Sequence, residues 1–142
     1  MKKNQISDSR STRQIEKLVA VARSTRKNAY APYSNYPVGA AVLTKSGKVY
    51  SGCNVENAAY PSGLCAERVA IFKAVSEGER DLVALVVVTA NGASPCGACR
   101  QVFSEFARDD AVIVLASPRG TRRKKYSMKQ ILPDRFGAGH LK

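Results

Sequence analysis

Two cysteine-bearing segments contain the residues whose types and spacing could perform chemistry. In the first segment Cys65 precedes Glu67 by two residues, and in the second Cys96 and Cys99 are separated by two residues. Two thiolates at the latter spacing can bind one metal ion when a tight turn brings them together, and Gly97 permits such a turn. Redox pairs share this spacing, but the additional cysteine of the first segment favours a metal site.

Both cysteine segments stand where helices are predicted to begin. The positive end of a helix dipole favours thiolate over thiol, so sulfurs at these positions are suited to binding a cation. Two helix starts that face one place can present three sulfurs about 2.3 Å from a zinc ion. Three protein ligands leave a fourth position open, as in catalytic rather than structural zinc sites. The sequence therefore predicts that Cys65, Cys96 and Cys99 bind a catalytic Zn²⁺.

Cys53 and His140 are the other candidate ligands. A closed structural site would use Cys53, but it lies twelve residues before Cys65 in a β-prone stretch, whereas structural sites usually draw on close-spaced pairs. We interpret Cys53 as a buried structural thiol and keep the closed four-cysteine site as an alternative. His140, the only histidine, lies two residues from the C-terminal end and is interpreted as a surface residue.

Glu67 indicates what the metal is for. It lies in residues 64–75, a segment that is otherwise apolar nearly all round. Burying a carboxylate without compensating interactions costs free energy of folding, so a buried glutamate here indicates a functional role. Two residues from a ligand, it can contact a water at the metal without binding the metal itself. This is the position of a general acid–base. The alternative interpretation is a surface glutamate at a helix N-terminus.

Length and composition favour one globular domain spanning residues 1–142. Hydrophobic residues make up 44% of the chain and charged residues 24%, as in soluble proteins. The longest apolar run, residues 82–88, is far shorter than the roughly 20 residues that span a bilayer. No hydrophobic segment follows Lys2 and Lys3, so no signal peptide is predicted. We expect a cytoplasmic protein with reduced cysteines and no membrane partner.

The net charge of +12 comes from the two ends of the chain. Residues 1–28 carry eight basic and two acidic residues, residues 29–99 carry five of each, and residues 100–142 carry ten against four. We interpret the excess as a solvated basic surface, because net charge bears on association rather than fold. Nucleic acid is not expected to be a partner. A face that binds polyanions is the alternative, and the densest run is residues 122–125.

The apolar patterns predict an α/β fold, a mixed sheet with helices on both faces. Ile15, Leu18, Val19 and Ala22 have the spacing of an amphipathic helix, and residues 64–75 and 99–106 form two more. The predicted strands are residues 38–44 and 48–55, which form a hairpin around Ser46-Gly47, then 82–89, 112–116 and a short strand near Tyr126. A last helical turn is predicted at residues 128–132.

Three motifs together resemble the small homotetrameric, zinc-dependent cytidine deaminases of pyrimidine salvage. They are GCNVENA at residues 52–58, CAER at 65–68 and SPCGACRQ at 94–101, in the order and at the spacing of that family. Zinc deaminases pair an x-E motif with a downstream P-C-x-x-C. The similarity runs from about residue 29 to residue 136. It implies the cytidine deaminase fold, a five-stranded mixed sheet between helical layers (α/β/α).

The resemblance also implies roles for single residues. Glu67 would move protons between water, ring nitrogen and leaving amine, while Arg68 would hydrogen-bond the sulfurs and offset the negative charge of three thiolates around Zn²⁺. The alternative for Arg68 is a surface charge. The implied substrate contacts are Tyr36 on the base, Asn54 and Glu56 on the ribose 3′-hydroxyl, the Ala66 N–H on the base carbonyl, the Ser94 carbonyl on the amine, and Tyr60 and Phe136 across subunits.

The implied reaction is hydrolytic deamination of free cytidine and 2′-deoxycytidine, with one Zn²⁺ per subunit. A carboxylate at Glu56 would repel a 3′-phosphate, so the expected partners are a small nucleoside and other copies of the chain that share active sites. Two alternatives remain. One is a deaminase of a related aminopyrimidine of the blasticidin type, and the other is a non-catalytic zinc-binding protein that interacts with RNA.

Overall fold

The computed structural model describes residues 10–142, and the basic residues Lys2 and Lys3 of the N-terminal segment lie outside them. The strands are β1 (Gly39–Thr44), β2 (Val49–Cys53), β3 (Leu82–Val88), β4 (Ala107–Ala116) and β5 (Lys124–Ser127). The helices are α1 (Ile15–Arg26), α2 (Ala66–Ser76), α3 (Gly97–Glu105) and α4 (Met128–Ile131), with a π-helical turn at Arg10–Gln14 and 3₁₀ turns at Tyr60–Ser62 and Ala138–Leu141.

The five strands form one mixed sheet in the order β2-β1-β3-β4-β5. β1 pairs antiparallel with both β2 and β3, β3 pairs parallel with β4, and β5 returns antiparallel on β4. The parallel pair requires a crossover, and α3 provides it. The five-stranded mixed sheet of an α/β fold, expected from the sequence, is confirmed.

Helices cover both faces of this sheet. On one face α1 buries Ile15, Leu18, Val19 and Ala22 against β1, β3 and β4. On the other face α2, α3 and α4 pack around buried side chains such as Ile71, which belong to the larger apolar cluster of the molecule. Because α2 and α3 share a face, their first turns can approach one another, which the predicted metal site requires.

Glycine at position 52 lets α2 lie close to the sheet. A Cβ at Gly52 would stand 2.6 Å from both the Ala66 carbonyl oxygen and the Ala70 nitrogen, closer than real Cβ contacts. β2 and the first turn of α2 are therefore in backbone contact. This packing fixes the position of Cys65, the N-cap of α2, relative to the end of β2.

Two elements differ from the sequence prediction. β4 begins at Ala107, five residues before the predicted start, because its first half carries exposed Arg108, Asp109 and Asp110, which an apolar-run criterion does not detect. α2 was expected to be buried nearly all round, but 43% of Phe72 is exposed. None of the helices within residues 10–142 is long and apolar enough to cross a membrane.

Candidate active site

The candidate site is formed where α2 and α3 begin. Cys65 is the N-cap of α2 and Cys96 the N-cap of α3, and both have extended backbone (ψ 152° and 166°). Neither sulfur accepts a capping hydrogen bond from the backbone N–H groups of its helix, so both sulfurs can face the same place. Cys99 follows in the first turn of α3 and is fully buried.

The three sulfurs lie together. The Sγ atoms of Cys65, Cys96 and Cys99 are all within 4.8 Å of one another, and those of Cys96 and Cys99 are 3.5 Å apart. Sulfurs bound tetrahedrally at about 2.3 Å from one zinc ion stand roughly 3.8 Å apart, so this donor set fits Zn²⁺. Within residues 10–142, this is the one cluster of three metal-binding side chains.

Cys53 lies outside the sulfur cluster. It ends β2, opposite Gly39, and is half-buried rather than fully buried as expected. The structure thus does not support a closed site of four cysteines. His140 is exposed, as expected, and its ring stacks on Phe136 with centroids 5.3 Å apart.

Hydrogen bonds to Cys65 hold it in its charged form. The Cys99 thiol makes the largest contribution and Arg68 adds to it, so that the pKa of Cys65 falls to about 5 despite its partial burial. The Nη2 of Arg68 donates to Cys65 Sγ over 3.3 Å. The pKa of Cys99 is raised by its bond to Cys65, by burial and by the charge of Glu67. These contacts favour the thiolate form of Cys65, which is the form that binds a metal ion.

Glu67 is buried beside these sulfurs, with 5% of its surface exposed. Burial raises the pKa of its carboxyl above the ordinary value, and the nearby Cys65 raises it further. A raised pKa brings a carboxyl closer to the pH range in which it can both accept and release a proton, which suits a general acid–base.

A pocket of about 450 Å³ opens beside the sulfur cluster. Its walls include four predicted site residues, Asn54, Glu56, Tyr60 and Arg68, together with the ligand candidate Cys65. A volume of this size suits a small molecule. Three of the seven predicted substrate residues, Asn54, Glu56 and Tyr60, are therefore brought together with part of the predicted metal site.

Asn54 and Glu56 are held in place by neighbouring backbone. Asn54 Oδ1 accepts from the Val38 N–H at 2.8 Å, and its Nδ2 donates to the Tyr36 carbonyl at 2.9 Å. Glu56 Oε1 accepts from the N–H groups of Tyr33 and Ser34 at 2.9 and 3.1 Å, and the Ser34 hydroxyl donates to Oε2. The latter bond in particular lowers the pKa of Glu56.

The other predicted substrate residues do not line the pocket. Tyr36 is half-buried, and its hydroxyl bonds to Asn91 Oδ1. Ser94 is exposed and its hydroxyl accepts from Arg100 Nη2 at 2.8 Å. Phe136 is 55% exposed. Ala66 is buried and is the first residue of α2, so the Ala66 N–H has no acceptor within the helix.

Sequence reasoning missed the residues that brace the site. Arg100 donates to the carbonyls of Pro95 and Ile131, each at 2.8 Å, and so ties the loop before Cys96 to α4. Tyr33 and Ser34 form part of the pocket wall. Arg100 belongs to a recognised motif and could have been examined, whereas Tyr33 and Ser34 lie in an irregular loop without a pattern.

Comparison with known proteins decides the family. Residues 12–116 match the family described as the cytidine and deoxycytidylate deaminase zinc-binding region. The chain belongs to the cytidine deaminase family. A cytidine deaminase of Sporosarcina psychrophila is 47% identical over 129 residues, 89% of this chain and 94% of that protein. The chain is an enzyme of this family.

Solved structures agree with the sequence comparison. The cytidine deaminase of Burkholderia pseudomallei is 44% identical and superposes with a TM-score of 0.80, covering 85% of this chain and 98% of that one. A blasticidin-S deaminase of Bacillus cereus is more distant, at 33% identity over 113 residues that cover 72% of this chain and 79% of that protein. Similarity thus favours the cytidine deaminases over the blasticidin type.

Replacing single cysteines by serine tests the ligand set. We expect Cys65→Ser, Cys96→Ser and Cys99→Ser each to reduce zinc content well below that of the unchanged protein, because a hydroxyl is a far poorer zinc ligand than a thiolate. Cys53→Ser is the matched control and retains its zinc. Metal analysis by mass spectrometry measures this, and loss of zinc in Cys53→Ser alone would contradict the assignment.

Ser34→Ala tests how the pocket carboxylate is held. The Ser34 hydroxyl stabilises the charged form of Glu56 and lowers its pKa, so its removal raises that pKa. As the solution is acidified, Glu56 of the variant therefore gains its proton at a higher pH. Carboxyl ¹³C chemical shifts of Glu56 report the midpoint, and Ser62→Ala is the control. An unchanged midpoint in Ser34→Ala would show that this hydrogen bond has no effect.

Proposed function

We propose that the chain hydrolyses free cytidine and 2′-deoxycytidine to uridine and 2′-deoxyuridine and releases ammonia. The observation that carries this proposal is the buried carboxyl of Glu67 beside three clustered sulfurs, one of which, that of Cys65, lines a pocket that a nucleoside could fill. The names of the similar proteins support the same reaction. A role in pyrimidine salvage in the cytoplasm follows from the use of free nucleosides.

Cys65, Cys96 and Cys99 would hold one Zn²⁺ per subunit. Zn²⁺, when bound, would supply a Lewis acid that lowers the pKa of water towards neutrality. Arg68 offsets the surplus negative charge of three thiolates through its hydrogen bond to Cys65 Sγ. Arg68 Nε is buried without a hydrogen-bond partner in the described structure, so this guanidinium retains a donor for a further negative group.

Glu67 moves the protons of the reaction. Its carboxylate accepts a proton from the attacking water, whose oxygen bonds to C4 of the base, and passes that proton to ring nitrogen N3. It then transfers the remaining hydroxyl proton to the exocyclic amine, the C4–N bond breaks, and ammonia leaves with a carbonyl at C4. The raised pKa of Glu67 suits both directions of transfer.

The remaining residues would position the nucleoside. The Ala66 N–H would donate to the base carbonyl, and Asn54 and Glu56 would bind the ribose 3′-hydroxyl. The hydrogen bonds that hold Glu56 leave its charge exposed at the pocket wall, where it favours a hydroxyl over a phosphate. Ser94 and Tyr36 are not part of the pocket wall, and we propose that the Ser94 carbonyl accepts a hydrogen bond from the amine and that the Tyr36 ring stacks on the base.

The single domain would act as a homotetramer with shared active sites. Tyr60 is 76% exposed and Phe136 is 55% exposed, so each ring has surface that a neighbouring copy of the chain could cover. Phe136 is held by the bond from Gln101 Nε2 to its carbonyl at 3.1 Å. A neighbouring copy that covers these rings would complete the pocket.

Glu67→Gln tests the reaction directly. It keeps the side chain's size but cannot move the proton, so we expect cytidine turnover to fall by about 10²–10⁴-fold. Ammonia release and uridine formation measure this, while circular dichroism and metal analysis establish that the variant is folded and zinc-loaded. Glu105→Gln, at an exposed glutamate of α3, is the control. Substantial turnover by Glu67→Gln would exclude the mechanism.

Phe136→Ala tests whether sites are shared. We expect activity per chain to fall more than tenfold, because the aromatic that reaches a neighbouring site is lost, while Tyr126→Ala at another exposed ring changes it little. Dilution of the unchanged protein to monomers should abolish turnover, as followed by sedimentation and assay at matched concentrations. A fully active monomer would contradict the shared site.

A further inference from the structure

The folded chain concentrates its positive charge along one side of α1 and β5. Between residues 117 and 129 there are six basic residues and no acidic one. Contacts with α1 hold this segment in place: Arg23 Nη2 donates to the Gly120 carbonyl at 2.7 Å, and its Nε donates to the Ser117 carbonyl at 3.1 Å. The cations of α1 and of this segment are therefore neighbours.

The one acid of α1 is already neutralised. Arg123 makes a two-pronged contact with Glu16, from Nε to Oε1 at 3.2 Å and from Nη2 to Oε2 at 3.0 Å. Only 11% of the Arg123 side chain is exposed. Arg123 is thus a structural residue, and the cations around it have no acidic neighbour on α1 or on residues 117–129.

Strand register places Lys125 on the same side. Lys125 pairs with Val114, whose side chain packs in the cluster beneath α1, and directly paired residues share a face of the sheet. Lys27 stands one turn beyond Arg23 on α1 and is exposed. We call the set Arg23, Lys27, Arg119, Arg122 and Lys125 the basic face.

Acidic residues gather at the other end of the sheet. Because β3 and β4 are parallel, residues 77–81 and 105–110 meet where these strands begin, whereas residue 117 follows the end of β4. In that acidic region Glu79 pairs with Lys48 at 3.3 Å. Asp81 there also has basic neighbours, Arg108 at 3.8 Å and Lys45 at 4.0 Å, so the end of the sheet at residue 117 is the more positive of the two.

The basic face has no apolar centre. Among the described residues, the exposed large hydrophobic side chains include none from α1 or from residues 117–123. Tyr126 pairs with Ile113 and so lies on the opposite face of the sheet from Lys125. Protein interfaces have apolar cores and membrane-binding surfaces insert apolar side chains, whereas phosphate contacts require only cations. Arginine is well suited to phosphate, and three of the five cations are arginines.

We propose that the basic face binds the phosphate backbone of nucleic acid without reading its sequence. None of the residues that line the catalytic pocket comes from α1 or from residues 117–129, so the bound strand would not occupy the pocket. This inference departs from the expectation that the charge is only a solvated surface. It does not depend on the proposed reaction.

Fluorescence anisotropy with a labelled 20-nucleotide oligouridine tests the proposal, since this probe contains no cytosine. The variant Arg119→Gln/Arg122→Gln/Lys125→Gln should bind at least tenfold more weakly at 50 mM salt. For single strands, the logarithm of the binding constant falls with the logarithm of the salt concentration by roughly 0.7 per phosphate contact. Loss of three contacts should therefore make this slope shallower by about 2. The control Lys45→Gln/Arg80→Gln/Lys142→Gln removes the same charge outside α1 and residues 117–129 and should bind within twofold of the unchanged protein.

Equal weakening in both triple variants would overturn the proposal, because net charge alone would then explain binding. So would the absence of binding at 50 mM salt, or equally tight binding of a polyglutamate of the same length or of vesicles containing phosphatidylserine. Cytidine turnover should be unchanged in both triple variants. It is measured separately, so failure of the proposed reaction is distinguishable from failure of nucleic acid binding.

Discussion

The convergence of two helix N-termini on one point is the constraint on which the rest of the structure depends. Three sulfurs within 4.8 Å would repel one another as thiolates. The positive ends of α2 and α3, with Arg68 beside Cys65, make that proximity tolerable, and a bound cation would complete the balance. Everything that fixes the relative position of these two helices therefore fixes the chemistry.

The packing of the scaffold serves this convergence from both sides. β2 and α2 touch through Gly52, which admits no side chain, while Arg100 ties the loop before α3 to the end of α4. Both contacts involve backbone atoms, which have fewer alternative positions than side chains. The sheet and three helices thereby all contribute contacts that offset the free-energy cost of holding the three sulfurs close together.

Local patterns predicted the fold and the centre of the site, but not the site's walls. The spacing of Cys65, Cys96 and Cys99 and the lone carboxylate of Glu67 are visible in the chain itself, as are the apolar runs of the strands. The apolar pattern did not predict the start of β4, because residues 108–110 are polar and solvent-exposed. The hydrogen bonds between Asn54 and residues 36–38 depend on how an irregular loop folds back onto β2. Such long-range contacts produce no periodic pattern in the sequence.

In the proposed function Glu56 binds the ribose, so the hydrogen bonds from the loop at residues 31–36 to Glu56 have a consequence for how sugar preference could change. Asn35 in this loop has a left-handed backbone (φ 54°), a conformation that most side chains disfavour, so the loop tolerates few substitutions without moving. Any such movement would redirect the carboxylate while leaving the sulfur cluster untouched. Selectivity for the pentose could thus evolve or be engineered from a segment that carries no reacting group.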